Sequence, residues 1–267
     1  MTKITEENRL ALKDAVLPYK ERLEVLFAKE KTVLATLHAD TAGQAKKKLS
    51  LADEMTNASS LYMAMDALSL KILDVKNNEA LNAARKLLYK AVIYIEDVVT
   101  DAVDVSFAEL TDALAPIADV PVTERYTIIQ KLGCAIDILK ARFGDNSKWK
   151  WSFVELEGRH AAVAKNLIDM KQAVKEYFDP NAPNYETTVT YVRLITKLLD
   201  RTANGYRDRY ELSTRRIDDI KNAIKFLLAS HKVFSALGDR DKVEEVKTKA
   251  VVWNNKMKND QKLGLNS

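Results

Sequence analysis

Apolar side chains return every three or four positions along most of this chain, the spacing that places them on one face of an α-helix. The longest such ladder spans residues 185–237 and carries Val192, Ile195, Leu199, Thr202, Tyr206, Tyr210, Ile217, Ile220, Ile224, Leu227, His231 and Phe234. No proline follows Pro183, so the spacing predicts one helical spine, about 80 Å long at about 1.5 Å per residue. Its weakest point is Asn204-Gly205, a favoured turn pair. Thr202, Tyr206 and Tyr210 keep one face in phase across that glycine, which favours continuity.

Shorter ladders precede the spine. A helix is predicted over 6–38, capped by Thr5, with Leu23, Leu26, Phe27, Leu34 and Leu37 inward and a kink or split at Pro18. Asp40-Thr41-Ala42-Gly43 reads as a turn. A helix over 45–75 follows, with Met55, Met63 and Met65 read as core. The most regular seam occupies 79–105: Leu81, Ala84, Leu88, Ala91, Ile95, Val98, Ala102 and Val105. A short helix covers 107–115. The next, opened by Thr123, buries Ile129, Leu132, Ile136 and Leu139 and closes at Gly144. One helix is expected to run from Trp149 through His160 and Leu167 to Tyr177. The punctuated segment Asp179-Pro180-Asn181-Ala182-Pro183 separates it from the spine, and a last helix occupies 240–258 before a tail that frays. Alternation of period two is never sustained. The expectation is an all-α bundle of seven to nine helices with a long C-terminal spine. An N-terminal bundle over 1–179 and a spine plus terminal helix over 184–267 would pack as one domain.

Composition agrees with this class. Among 267 residues, 47% are apolar and 30% charged, and only 7 are glycine and 5 proline, so long helices outnumber turns. The net charge of +4 is too small to demand a nucleic-acid partner. Its distribution is uneven, with 51–120 acidic and 121–267 basic. Cys134 is the only cysteine, which leaves no intramolecular disulfide and no cysteine metal cluster. Its place in an apolar helix reads as a core thiol. The first residues lack the apolar core of a signal peptide, and no run of about 18 apolar residues offers a membrane span. Cytoplasmic residence without membrane attachment is the expectation.

Candidate chemistry is sparse. Asp97, Asp101 and Asp104 fall at i, i+4 and i+7, so on a helix they share one face and could meet a divalent cation. That face lies opposite the seam and no second acidic motif completes it, which favours a solvated face or a dock for a basic partner. His160 and His231 sit on ladders as core residues, and no histidine stands near a nucleophile. No glycine-rich phosphate loop occurs. Trp151 points away from the ladder that holds Trp149, along Val154, Gly158 and Ala162; it either packs a second helix or anchors a partner. Arg207, Arg209, Arg215 and Arg216 interleave with tyrosines as in nucleic-acid surfaces, but Asp208, Glu211, Asp218 and Asp219 interleave too, and ion pairs along the helix fit better. No catalytic, cofactor or metal residue is assigned. The function expected is a non-catalytic scaffold or adaptor working through a protein partner or self-association, with Trp151, Asp97, Asp101, Asp104, Arg207, Arg209, Arg215 and Arg216 as the candidate contact residues. The alternatives are an all-helical enzyme or small-ligand binder with a site inside the bundle, and a nucleic-acid-associated helical protein.

Overall fold

The computed structural model describes residues 5–37, 43–145 and 147–265, and among these every regular element is a helix. Ten α-helices follow one another: α1 Glu6–Thr36, α2 Gln44–Leu73, α3 Asn78–Val99, α4 Phe107–Leu114, α5 Val122–Phe143, α6 Lys150–Asn166, α7 Met170–Tyr177, α8 Tyr185–Arg209, α9 Ile217–Ala236 and α10 Arg240–Lys262. The all-α class stands. The count exceeds seven to nine, and the longest helices are α1 with 31 residues and α2 with 30 rather than a C-terminal spine. Among the described residues no helix is long and apolar enough to cross a membrane.

The spine is broken five residues past the suspected glycine. The helix runs straight through Asn204-Gly205 and ends in a wide π-turn at Tyr210–Thr214, where Arg215 adopts a left-handed φ of 53°. A polar knot sets the break. Asp219, only 2% exposed, accepts from Arg209 and from the Thr214 hydroxyl. The fully buried Tyr210 donates its phenol proton to Asp260 of α10 at 2.7 Å. The ladder stays in phase because α8, α9 and α10 pack on one another as successive antiparallel layers, so each buries the same stripe that a single helix would. Elsewhere, Pro18 lies exposed inside an unsplit α1, where its missing N–H is lost on the solvent side. The ladder from Trp149 to Tyr177 is two helices, because the Asp169 carboxylate caps α7 by accepting from the Gln172 amide at 3.1 Å. The turn expected at Asp40-Thr41-Ala42 lies outside the described residues.

The chain folds into two units. The first takes the chain up to Val98 together with Ile128–Ser147; the second takes Val99–Thr127 and Lys148–Ser267, so the Asp179–Pro183 stretch lies within the second. In the first unit Leu51, Met55, Leu88, Ile95, Ile129 and Ile136 form the centre, and Met63 and Met65 are buried with them. Buried carboxylates fasten its helices. Glu30 of α1 accepts from Lys90 (2.6 Å) and Tyr94 (2.5 Å) of α3, and Asp66 of α2 accepts from Arg142 of α5 (2.8 Å) and the Asn77 amide (2.8 Å). Cys134 is exposed, not a core thiol; two residues from Leu132 it faces roughly 200° away from the buried stripe of α5.

In the second unit α6 is the innermost element, with Phe153, Leu156 and every residue from His160 to Asn166 buried. It packs on α8, which also carries α7 and α9. Two polar side chains at its end hold the chain that enters the unit. Lys165 donates to the Val105 carbonyl (2.9 Å), and Asn166 donates to the carbonyls of Thr100 (3.1 Å) and Ala102 (3.0 Å). Burial, with a smaller push from Lys232, lowers the Lys165 ammonium to about 8. Gly158 of α6 leaves the hollow that seats the Tyr206 ring, itself stacked on Phe226 with centroids 5.7 Å apart.

Three tests follow from this packing. Gly205 is helical and an added methyl would meet only Val154, at 3.6 Å, so Gly205→Ala should stabilise by about 0.5–1 kcal/mol. At Gly158 the methyl would lie 2.9 Å from the Tyr206 ring, so Gly158→Ala should cost about 1–3 kcal/mol in the same urea titration. For Lys165 the folded pKa of about 8 lies below the ordinary 10.5, so between these values the unfolded chain holds more protons and stability rises with pH. Unfolding measured from pH 8 to 10 should show this rise in the native protein and not in Lys165→Met.

Candidate interaction groove

The residues singled out by charge and aromaticity are engaged with the fold itself. Asp97 belongs to the first unit and binds Lys48 of α2 at 3.0 Å. Asp101 and Asp104 do not continue its helical face: α3 stops at Val99, and Thr100 takes a φ of 92° that turns the chain away. The seam expected through Ala102 and Val105 therefore ends early, with Ala102 exposed and Val103 buried instead. Asp101 and Asp104 line an open hollow of about 480 Å³ with Glu155, Arg159, Tyr206 and Lys225, in which Asp104 faces Lys225 at 3.9 Å. Charges of both signs alternate around it, and among the described residues no three His, Cys, Asp or Glu side chains gather as metal ligands.

Trp151 is half-buried, with the Lys150 ammonium 5.0 Å above its ring and its carbonyl accepting from Arg209. The arginines pair inward. Arg207 binds Asp208 at 3.0 Å and stacks over Trp253; Arg209 binds Asp219 through Nε at 2.8 Å; Arg215 lies over the Tyr210 ring, 4.0 Å from Asp260. Arg216 alone of the four faces mainly solvent, 3.9 Å from Asp218. His160 is buried, His231 is half-buried beside Ser235, and His38 lies outside the described residues.

A different place, in the first unit, has the form of a binding surface. Arg9, Leu12, Lys13, Val16 and Lys20 share one face of α1, and together with Tyr62 and Met65 of α2 and Ala80 and Ala83 of α3 they enclose an open groove of about 470 Å³. Its floor is apolar: Val16, Met65 and Ala80 are buried, with Leu12 and Ala83 partly so. The groove exists because α3 presents alanines where a longer side chain would fill it. Its rim is cationic, since Arg9, Lys13 and Lys20 are exposed and Glu79 is the single acid in the lining. Leu10 and Leu17, each about half exposed, stand on the adjoining face of α1.

The walls are held at fixed spacing. Asn77 caps α3 by accepting from the Ala80 amide at 3.0 Å, while its own amide is held by Asp66. Farther along α1, Glu30 ties that helix to α3 through Lys90 and Tyr94. Burial, then the bond to Glu30, pushes the Tyr94 phenol well above its ordinary range, so it stays a proton donor at any physiological pH. The groove escaped the sequence reading because its α1 ladder is short and crowded with lysines, and because no local pattern shows that three helices leave a gap.

A protein-family model covers residues 8–261, nearly the whole chain and both units. The chain belongs to the TP0443 family. No curated protein and no solved structure matches it. The groove and the inward-paired arginines both lie within the stretch shared with the TP0443 family, whose name carries no activity.

The difference between buried and exposed charge pairs is measurable in this TP0443-family chain. Arg209→Ala strands the buried Asp219 carboxylate and should cost about 3–5 kcal/mol. Arg216→Ala removes an exposed pair and should cost less than about 0.5 kcal/mol by urea denaturation.

Proposed function

We propose that this TP0443-family protein is a non-catalytic helical adaptor, and that its first unit docks an acidic amphipathic helix of a partner protein in the α1–α2–α3 groove. The observation that carries this reading is the combination of an apolar floor with three exposed cations on one wall. A helix laid in such a groove buries its apolar side chains, at i, i+3, i+4 and i+7, against Leu12, Val16 and Met65. Carboxylates on its flanks would then meet Arg9, Lys13 and Lys20, which steer the encounter and fix its direction. Cytoplasmic residence belongs to the same proposal and rests on the single exposed thiol of Cys134, which suits a reducing compartment. The arginine series of the second unit gives a nucleic-acid role little support, because Arg207, Arg209 and Arg215 are engaged by carboxylates and rings of the fold.

Fluorescence anisotropy with two labelled helical peptides tests the docking. One carries leucines at helical spacing with glutamates on its flanks, and the other replaces the glutamates with lysines. The acidic peptide should bind with micromolar affinity and weaken more than tenfold in Lys13→Glu and in Ala83→Leu, which reverses the rim and fills the floor. Equal binding of both peptides, or affinity untouched by both substitutions, would overturn the docking mode. A concentration-dependent dimer in sedimentation, dissolved by the same two changes, would redirect the groove to self-association.

A further inference from the structure

The second unit contains a cleft of about 260 Å³ bounded by the Val120–Pro121 turn, the start of α5, the Asp169 turn, α7 and the first turns of α8. Two of its lining side chains are buried charges of opposite sign. Arg125 is 7% exposed, and its guanidinium donates only to backbone carbonyls: Nη2 to Ile117 (2.7 Å), Nε to Val120 (3.0 Å) and Nη1 to Leu167 (3.4 Å). A guanidinium has five N–H groups, so one remains on each terminal nitrogen. Glu176 is 9% exposed and accepts from Thr188 (2.7 Å), Gln172 (3.1 Å) and Asn184 (3.4 Å), all of them neutral. Burial works against its ionisation, but the three donors outweigh burial and hold its pKa below the ordinary carboxylate value. Burial likewise pulls Arg125 down from its ordinary value, yet an arginine stays protonated at any physiological pH.

Among the described residues neither group forms an ion pair within 4 Å; the carboxylates of Asp169, which also lines the cleft, and of Asp119 act favourably on Arg125 from farther away. The hydrogen bonds have a structural purpose: Arg125 closes the carbonyl end of α6, and Glu176 ties α7 to α8. That purpose explains the polar contacts and leaves the Glu176 charge unexplained, because a neutral amide in its place could make comparable bonds without the cost of an unpaired buried ion, and it leaves two Arg125 N–H groups free for an anion. A ligand bearing both complementary charges would neutralise the two at once.

We infer that this cleft binds a small amino carboxylate, its carboxylate on the two remaining N–H groups of Arg125 and its ammonium on Glu176. Val120, Pro121, Ile168 and Ala173 supply an apolar wall for the carbon chain between the two ends. The guanidinium sits at the Leu167 carbonyl beside the Asp169 turn, and Glu176 stands near the far end of α7, whose rise from Met170 is about 9 Å. That span suits an extended chain with terminal charges better than an α-amino acid. The inference is independent of the docking groove, which lies in the other unit.

Isothermal titration calorimetry on the full-length protein tests it, with 6-aminohexanoate as the probe and hexanoate and hexylamine as its two halves. Saturable binding of 6-aminohexanoate is expected, at least tenfold tighter than either half, and glycine should bind more weakly than the probe. Glu176→Gln keeps the shape of the side chain and should weaken the probe more than tenfold, with circular dichroism confirming that the variant is folded. Lys13→Glu should leave the titration unchanged, which separates this cleft from the adaptor reading. Absence of saturable heat, equal affinity for hexylamine and 6-aminohexanoate, or full affinity in folded Glu176→Gln would each overturn the proposal.

Discussion

The second unit depends on one buried carboxylate. Asp219 lies at the point where a continuous apolar ladder would otherwise have made a single rod, and the groups it binds, Arg209 and Thr214, stand on the other side of the break. A lone buried carboxylate is costly, so the chain turns where both partners can reach it. The turn lets α9 fold back on α8 and α10 on α9, which is how three amphipathic helices cover one another's apolar faces. Tyr210 and Asp260 close the same corner from the far end of α10. A polar cluster thus decides the topology that the hydrophobic pattern leaves open.

The first unit follows the same rule with different residues. Glu30 and Asp66 are buried acids whose partners come from other helices, and they set the spacing between α1, α2, α3 and α5. Alanines and methionines then fill that spacing unequally. Where α3 offers Ala80 and Ala83 the fill is incomplete, and the open side of the unit becomes an apolar trough edged by lysine and arginine. Stability and recognition use separate charges here: the buried acids hold the walls, and the exposed bases face outward from them.

Helical class was legible because period 3.6 leaves a long trace in sequence, and residues such as Ile95, Ile136 and Leu199 lie in the core as their spacing requires. Helix ends were legible where a cap is chemically distinctive, as at Thr5 and Gly144. They were not legible where tertiary polar contacts make the end. Nothing local to Thr100 announces a positive φ; its own carbonyl and that of Ala102 are held by Asn166, far along the chain. That single displacement moved Asp101 and Asp104 off the helix and dissolved the apparent acidic face. Arg209 and Arg215 looked like a surface because their carboxylate partners, Asp219 and Asp260, come from α9 and α10. Both concave sites share this property, since a hollow is defined by side chains that three or more segments fail to supply.

The burial of α6 bears on how the second unit can open. Its residues from His160 to Asn166 have no exposed side, and even its lysine and asparagine point inward to hold the segment between Thr100 and Val105. A helix wrapped in this way has no fraying route of its own, because releasing any turn of it exposes apolar surface on α8 at the same time. The amide protons of this stretch are therefore expected to exchange slowly and to report the opening of the whole unit rather than of any one helix. Proteolytic nicks in the surrounding turns would leave this helix as the part that still holds the fragments together.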